Sequence, residues 1–234
     1  MRALSIIMPA WRAEDYLAAV LSSLAEQTAF KSGAVTPEVL LGVDGCDLTR
    51  RRALELAGAF PKLNLQIYWF PTNHGPYLVR NTLCGVARHD WLLFFDADDT
   101  AAPEMVALAA GYARPVMVMV QQYPGRRMKR TWGQVFISRE VWRAVGGFFP
   151  WRCAADKEML LRARRLGYPE FLIQDRVLVH RRAHGRQITK DRQTGFGSPL
   201  RNEYKSLMKA IEKLKIGHID PETAVYEILL GSQP

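Results

Sequence analysis

The stretch Trp91-Leu92-Leu93-Phe94-Phe95-Asp96-Ala97-Asp98-Asp99 decides the fold class of this 234-residue chain. Its apolar part is continuous, which is typical of a strand buried on both faces of a parallel sheet. The strand stops on three aspartates, so Asp96 and Asp98 are expected at one edge of that sheet. Crowded carboxylates repel one another unless a cation neutralises them, and hard oxygen ligands suit Mg²⁺ or Mn²⁺. The stretch predicts a site for a metal ion and a diphosphate; the alternative is a turn and helix cap at Asp98 and Asp99.

Strand and helix patterns alternate through the first half of the chain. Strands are predicted over 4–8, 39–43 and 65–70, and helices over about 17–24, 49–59 and 77–87. This order is typical of an α/β fold, a largely parallel sheet with helices on its faces. In Rossmann-like sheets, ligands bind outside the carboxyl ends of the strands. Four polar or turn residues would meet at that edge: Pro9, Asp44, Asn73 and Asp96.

Length and composition are those of one α/β domain with a modest extension. The hydrophobic content of 48% is enough for a core. No apolar stretch approaches the roughly 20 residues that a membrane-spanning helix needs. The first residues lack the charged and apolar regions of a signal peptide, and three separated cysteines fit reduced thiols. A cytoplasmic location is therefore expected.

Positive charge is concentrated in the second part of the chain. Residues 1–100 contain 9 basic and 11 acidic side chains, a formal net charge of −2, whereas residues 101–234 contain 23 and 12, a net charge of +11. Such asymmetry indicates an anionic partner. Composition alone leaves nucleotide phosphates, an anionic lipid surface and nucleic acid as candidates.

Four segments, taken in order, resemble the nucleotide-binding half of the inverting family 2 glycosyltransferases, which have a GT-A fold. They are SIIMPAW (5–11), VDGCD (43–47), NHGPYLVRN (73–81) and FDADD (95–99). The resemblance covers about residues 3–190. It implies a GT-A Rossmann-like nucleotide-binding sheet, mixed but mostly parallel and flanked by helices.

The resemblance also implies a role for each matched position. In the family, the early segments hold the nucleobase and ribose, and the Asp-x-Asp motif holds a divalent metal and the donor diphosphate. Asp96 and Asp98 are then the metal pair. Val43 departs from the family, which often carries two acids before this glycine, so base or ribose recognition differs here. The implied nucleotide-binding residues are Pro9, Ala10, Asp44, Asn73, Gly75, Arg80, Asp96 and Ala97.

Arg80 has two interpretations. It is expected about one turn into the helix that follows the Gly75-Pro76 turn. From there its guanidinium group could bind phosphate in a bidentate manner. The alternative is a salt bridge that braces Asp96 or Asp99.

The second half supplies a general base by the same resemblance. Residues 134–142 and the glycine pair at 146–147 resemble the strand, helix and glycines beneath the family's acceptor site. Family members then usually carry Glu-Asp, where this chain has Ala155 and Asp156, and the acid aligned with Asp156 is their base. The alternatives are a helix N-cap for Asp156 and an ordinary helical salt bridge for Glu158.

Residues 177–185 end a predicted strand in two histidines and two arginines. Family members often carry Arg-x-His here, which Arg182 and His184 match. Imidazole can complete a Mn²⁺ shell, and arginines can neutralise a departing nucleoside diphosphate. His184 is therefore a predicted metal ligand beside Asp96 and Asp98, and the alternative is a surface histidine.

Apolar residues recur at helical spacing in the last part of the chain: Leu200, Tyr204, Leu207, Ile211 and Leu214. The pattern predicts a helix packed on its own domain, and a basic amphipathic helix on an anionic membrane is the alternative. The predicted organisation is a GT-A domain over 1–199 and a helical extension over 200–234. Within the domain, 1–100 is the nucleotide-sugar half and 101–199 the acceptor and catalytic half.

The predicted function is a metal-dependent inverting glycosyltransferase that uses Mn²⁺ or Mg²⁺. Its partners would be a UDP, GDP or dTDP sugar and a glycan, lipid-linked or small-molecule acceptor, with peripheral contact at the inner membrane face as a further option. The alternatives are a nucleotidyl- or phosphoryl-transferring enzyme, since paired acids and arginines serve those chemistries too, and a basic nucleic-acid-binding module. Nucleic acid is the less favoured partner because the chain has no aromatic RNA-binding motif or zinc knuckle.

Overall fold

Eight strands form one mixed sheet within residues 1–125 and 129–220, which the computed structural model describes. The strands are β1 (Ala3–Ala10), β2 (Thr36–Asp44), β3 (Leu65–Phe70), β4 (Trp91–Phe94), β5 (Thr100–Ala101), β6 (Val116–Gln122), β7 (Lys129–Ser138) and β8 (Phe171–His180). The helices are α1 (Leu17–Ala25), α2 (Thr28–Lys31), α3 (Asp47–Leu56), α4 (Pro76–Val86), α5 (Met105–Tyr112), α6 (Arg139–Val145), α7 (Ala155–Arg165) and α8 (Pro199–Lys213), with a 3₁₀ turn at Pro61–Leu63. The order of strands across the sheet is β3-β2-β1-β4-β7-β6-β8-β5.

The first four strands are parallel; β1, β2 and β4 are mostly buried, and β3 is half-buried. β1 pairs with β2 and β4, and β2 pairs with β3. The prediction for β3 is confirmed with the same bounds, but β1 continues through Pro9, where the prediction ended it. Proline is tolerated there because β4 pairs with β1 only at Ser5–Ile7, so the missing amide hydrogen of Pro9 leaves no gap in that ladder.

The second half of the chain extends the same sheet. β7 runs antiparallel to β4 and β6, β6 pairs in parallel with β8, and β8 pairs antiparallel with β5. The predicted mixed α/β sheet is therefore confirmed. Because β7 lies directly beside β4, its residues reach the acidic end of β4 from the far half of the sequence.

Helices cover both faces of the sheet, with one apolar cluster on each side. α1, α3 and α5 bury residues in one cluster, and α4, α6 and α7 bury residues in the other. The apolar stripe of α8 packs on the second cluster through Tyr204, Leu207, Met208 and Ile211. Leu214 was wrongly placed in this stripe, because the helix ends at Lys213 and Leu214 is 70% exposed.

The part of the predicted extension from 221 to 234 lies outside the described residues. Among the residues that the structure describes, each helix is too short or too polar to cross a bilayer.

Candidate active site

A cleft opens at the carboxyl ends of β1, β2 and β4, and its cavity has a volume of about 880 Å³. All eleven residues predicted as site residues line it: Pro9, Ala10, Asp44, Asn73, Gly75, Arg80, Asp96, Ala97, Asp98, Asp156 and His184. Pro9, Ala10 and Asp44 come from strand ends, whereas Asp156 and His184 come from α7 and the segment after β8. The cleft therefore joins the two halves of the chain.

Asp44 is a buried carboxylate that shapes one wall of the cleft. It accepts hydrogen bonds from the backbone amides of His74 (2.7 Å) and Gly75 (2.9 Å) and from Nδ2 of Asn73 (2.9 Å). Gly75 has a φ of +89°, a conformation that L side chains rarely adopt. The carboxylate thus fixes a tight turn just before α4.

Arg152 ties this turn to the second half of the chain. Its Nη1 donates to the backbone oxygen of Asn73 at 3.0 Å, and its Nη2 donates to the side-chain oxygen of the same residue. Sequence reasoning missed Arg152, because the contact joins segments that lie far apart along the chain.

Asp96 is held by two arginines. Oδ1 accepts from Nη2 of Arg80 at 2.6 Å, and Oδ2 accepts from Nη1 of Arg181 and Nε2 of Gln134, both at 2.8 Å. Burial alone would raise the pKa of Asp96, but the two guanidinium groups lower it below its ordinary value. Of the two interpretations of Arg80, the structure contains the salt bridge to Asp96.

Asp99 is fully buried and shares two of the partners of Asp96, Arg181 and Gln134. It forms a 2.6 Å ion pair with Arg181 and accepts hydrogen bonds from Gln134 (2.6 Å) and the backbone amide of Arg182 (3.1 Å). Asp99 therefore does more than form the turn or helix cap of the alternative interpretation. It holds the segment after β8 in place through its contacts with Arg181 and Arg182. Arg182 contributes its backbone here, and its guanidinium group lies over the ring of Tyr16.

Asp98 faces His184 rather than an arginine. Nε2 of His184 lies 2.8 Å from Oδ2 of Asp98, and Nδ1 accepts a hydrogen bond from the Arg186 amide at 3.1 Å. The imidazole also packs on Tyr16, with ring centroids 4.6 Å apart. Burial and the nearby Asp96 raise the pKa of Asp98 above its ordinary value.

One ligand oxygen from each of Asp96, Asp98 and Asp99 lies within 4.8 Å of the others. Arginines and Gln134 already engage Asp96 and Asp99, however. His184 lies beside this cluster rather than in it, and its Nε2 contacts Oδ2 of Asp98, so a cation held between these two side chains would replace that contact. A carboxylate oxygen and an imidazole nitrogen are both common Mn²⁺ ligands.

Asp156 lies across the cleft, in the first turn of α7. Its Oδ1 accepts a hydrogen bond from the hydroxyl group of Tyr77 at 3.1 Å. A Cβ atom built on Gly133 would lie 3.4 Å from Oδ2 of Asp96 and 3.7 Å from Oδ2 of Asp156, so the two carboxylates face each other across this glycine. A bound substrate between them would contact both halves of the cleft.

Glu158 is buried away from the cleft, as the helical salt-bridge interpretation expected. It pairs with Arg162 at 2.6 Å, and Arg162 also donates to the backbone oxygens of Val145 and Gly147. This pair fastens α7 to the end of α6. It therefore supports the segment that carries Asp156.

Comparisons with known proteins agree with this arrangement. The profile of the family described as Glycosyl transferase family 2 matches residues 5–161. An uncharacterized glycosyltransferase of Haemophilus influenzae is 35% identical over 101 residues, which make up 43% of this chain and 31% of that protein.

Two solved structures show the same fold at low sequence identity. Staphylococcus aureus TarS 1–349 in complex with UDP is 20% identical, with a TM-score of 0.67, over 79% of this chain and 61% of that one. The mannosyltransferase PcManGT from Pyrobaculum calidifontis in complex with GDP-Man and Mn²⁺ is 15% identical, with a TM-score of 0.68, over 100% and 76%. The predicted GT-A fold is thereby confirmed.

Proposed function

The chain belongs to glycosyltransferase family 2, and from that premise we propose that it transfers a sugar from a nucleoside diphosphate sugar to an acceptor hydroxyl group. The observation that carries the proposal is the single cleft lined by all eleven predicted residues. It provides an acidic cluster with a histidine on one side and a second aspartate on the other. In the proposed reaction the first side holds the metal and the donor diphosphate, and the second activates the acceptor.

The donor occupies the first-half side of the cleft in this proposal. The turn fixed by Asp44 offers a preformed wall for the nucleoside, and the Asp96–Asp98 segment faces the diphosphate. The printed descriptions of the structural neighbours support a nucleotide ligand, since TarS was solved with UDP and PcManGT with GDP-Man. We propose a UDP, GDP or dTDP sugar as the donor.

The residues present fit a divalent metal at Asp98 and His184. Bound there, Mn²⁺ or Mg²⁺ would stabilise the negative charge that develops on the leaving diphosphate. Asp96 would join Asp98 as a metal ligand through a remaining lone pair, while Arg80 and Arg181 hold its carboxylate in place. The proposal thus keeps the expectation that Asp96 and Asp98 bind the metal together, with His184 beside them.

Asp156 is the general base of the proposed reaction. It removes the proton of the acceptor hydroxyl group, whose oxygen attacks the anomeric carbon from the face opposite the diphosphate. The bond from that carbon to the diphosphate oxygen breaks, and the configuration is inverted. Asp156 suits this role because it faces Asp96 across Gly133 and is not paired with a basic residue among the described part of the chain.

Tyr77 is a positioning residue for this base. Burial raises the pKa of the Tyr77 hydroxyl group well above its ordinary value, so it stays protonated and donates to Asp156 at neutral pH. The hydrogen bond leaves one carboxylate oxygen, Oδ2, directed toward the cleft side of Gly133. Tyr77 was not singled out by the sequence, since it lies in a segment assigned to the nucleotide.

We expect Tyr77→Phe to lower kcat about tenfold or more, because a hydrogen bond to a charged group contributes about 1.5–3 kcal/mol. Donor affinity should stay unchanged, since phenylalanine keeps the ring that packs against Arg80 and only the hydroxyl group that donates to Asp156 is lost. Steady-state transfer and donor binding measure the two effects. Tyr168→Phe is the matched control, because its hydroxyl group also donates to a carboxylate, that of Glu140, but outside the cleft. In protein that already carries Asp156→Asn, adding Tyr77→Phe should lower kcat little further. If it lowers kcat there as much as in the unchanged protein, Tyr77 does not act by positioning Asp156.

The proposed function as a whole is tested with a panel of nucleoside diphosphates. UDP, GDP and dTDP are added with Mn²⁺, Mg²⁺ or EDTA, and the melting temperature is measured. A ligand that binds only the folded protein raises Tm by mass action. We expect one nucleotide to stabilise the protein selectively and its sugar conjugates to be hydrolysed slowly. The absence of any stabilising nucleotide, with or without metal, would overturn the proposal.

A further inference from the structure

Arg201 is a buried cation that lines the cleft without an acidic partner. It is only 8% exposed, its Nε donates to the backbone oxygen of Thr194 at 2.7 Å, and its guanidinium group lies over the ring of Phe196. Among the described residues, no carboxylate forms an ion pair with it. An unpaired buried charge is strongly destabilising. Its position on the cleft wall therefore points to an anion that arrives from solution.

Further basic side chains surround this position. Lys205 and Lys209 follow Arg201 at intervals of four residues, so all three lie on one face of α8, and all three line the cavity. Lys157 lines it from α7. We call these four residues, Arg201, Lys205, Lys209 and Lys157, the cationic end of the cleft. Arg152 lines the cavity too, but its guanidinium group is bound to Asn73 in the turn before α4.

Acidic residues do not balance this charge. Asp156 and Glu212 also line the cavity, but within the described residues neither forms an ion pair with the cationic end. Asp191 lines it as well, and hydrogen bonds from the amides of Gln193 and Thr194, together with the charge of Arg152, lower its pKa. The cationic end thus carries a local excess of positive charge. A ligand with more than one negative charge would be attracted to it.

The cationic end lies on the acceptor side of the cleft, next to Asp156. Tyr204 lies between Arg201 and Lys205 on α8, and its ring stacks on that of Trp151 with centroids 4.7 Å apart. Its hydroxyl group also accepts a hydrogen bond from the backbone amide of Arg152 at 3.5 Å. These two residues shortly precede α7, whose first turn carries Asp156. Arg80 and Arg181 are instead ion-paired with Asp96, in the acidic cluster expected to face the donor diphosphate.

We propose that the cationic end binds a phosphate group carried by the acceptor, so that the acceptor is a phosphate ester with a free hydroxyl group. The inference rests on the proposed function, since it specifies the acceptor of that reaction. Arginine binds phosphate in a bidentate manner, and flexible lysines add point charges. A hydroxyl group on the same molecule would then lie beside Asp156.

A soluble phosphate ester fits the cationic end better than a lipid surface. A basic amphipathic helix binds a membrane through its apolar face. In α8 that face packs on the domain through Tyr204, Leu207, Met208 and Ile211. The cationic face of the same helix lines the cavity through Arg201, Lys205 and Lys209, so the apolar face of α8 is not available for insertion into a bilayer.

The test is a titration of the whole chain with glycerol 3-phosphate, with glycerol as the neutral match and glycerate as the carboxylate match. Binding is followed by NMR with the nucleoside diphosphate selected above at saturation, and again without nucleotide. We expect glycerol 3-phosphate to bind at least about tenfold more tightly than glycerol or glycerate. Arg201→Gln should abolish this preference, whereas Lys213→Gln, on the same helix but outside the cavity, should retain it.

Because Arg201 is buried, its variant could fold poorly, so a second variant changes only exposed residues, Lys205→Gln with Lys209→Gln. We expect it to weaken glycerol 3-phosphate binding about tenfold with Tm unchanged. Equal binding of phosphate, carboxylate and neutral ligands would overturn the inference, as would binding to phosphatidylglycerol vesicles without binding to the soluble ester. If either of these results is found while a nucleoside diphosphate still binds, only the inference about the acceptor is wrong. If no nucleoside diphosphate binds, the proposed function itself is wrong.

Discussion

Replacing Asp156 with asparagine is expected to lower the turnover number about 10²–10⁴-fold, the usual contribution of general acid–base catalysis. Donor affinity should stay within a few-fold of normal, because Asp156 lies across the cleft from the acidic cluster and contacts Tyr77 rather than any predicted nucleotide contact. The measurement is transfer to an acceptor, or slow donor hydrolysis while no acceptor is known, together with donor binding by calorimetry.

A matched control for this variant is Glu104→Gln. Glu104 also lies at the start of a helix, at the N-cap position of α5, but it is outside the cavity. Both changes remove one negative charge near a helix N-terminus, where the helix dipole favours it, so their effects on stability should be similar. Only the Asp156 change should affect turnover. Near-normal turnover in the Asn variant, or loss of donor binding with it, would contradict the assignment, and a residue near His184 would become the better candidate for the base.

The sequence was informative wherever a strand leads directly into the cleft. Asp44 and Asp96 follow apolar strands, and the carboxyl ends of parallel strands meet at one edge, so their convergence could be predicted without any pairing information. Asp156 and His184 were found through the family resemblance instead. Their neighbours in space come from the other half of the chain, and periodicity alone does not connect those halves.

The partners of these residues were harder to predict. Gln134 reaches Asp96 and Asp99 because β7 lies antiparallel to β4, a pairing that local sequence does not specify. The Arg-x-His pattern pointed to Arg182, so the sequence did not identify Arg181, the arginine that pairs with Asp96 and Asp99. The pairing of His180 with Thr100 brings the backbone after β8 to the acidic cluster, and the side chain of Arg181 then points into it.

The charge excess of the second half predicts an anionic partner, but it does not indicate where that partner would bind. Most basic residues of that half are exposed and scattered, as expected of a solvated surface. Arg201 differs because it is buried and lines the cleft. Arg201 is buried because α8 packs on the domain. Tyr204 of this helix stacks on Trp151, with ring centroids 4.7 Å apart. That contact joins residues 53 positions apart, which no local pattern shows.

Replacing Asp98 with asparagine is expected to remove the effect of metal on nucleotide binding. In the unchanged protein, a nucleoside diphosphate should bind more tightly in Mn²⁺ than in EDTA, because Asp98 and His184 would hold the cation that contacts the diphosphate. Changes in residues that merely support metal ligands lower metal affinity about 10–100-fold, so loss of a direct carboxylate ligand should cost at least that much. Calorimetry with and without Mn²⁺ measures the difference.

The fold should survive the Asp98 change. Burial and Asp96 already raise the pKa of Asp98, so replacing this carboxylate with a neutral amide relieves repulsion within the cluster. Asp90→Asn is the control, since Asp90 precedes the same strand at its opposite end and is exposed. It removes the same charge and should leave the Mn²⁺ effect intact. If nucleotide affinity in the unchanged protein were equal in EDTA and Mn²⁺, the metal site would be wrong. The Asp98–His184 pair would then act as a hydrogen-bonded support for the segment after β8, and His184→Ala would lower Tm without affecting nucleotide binding.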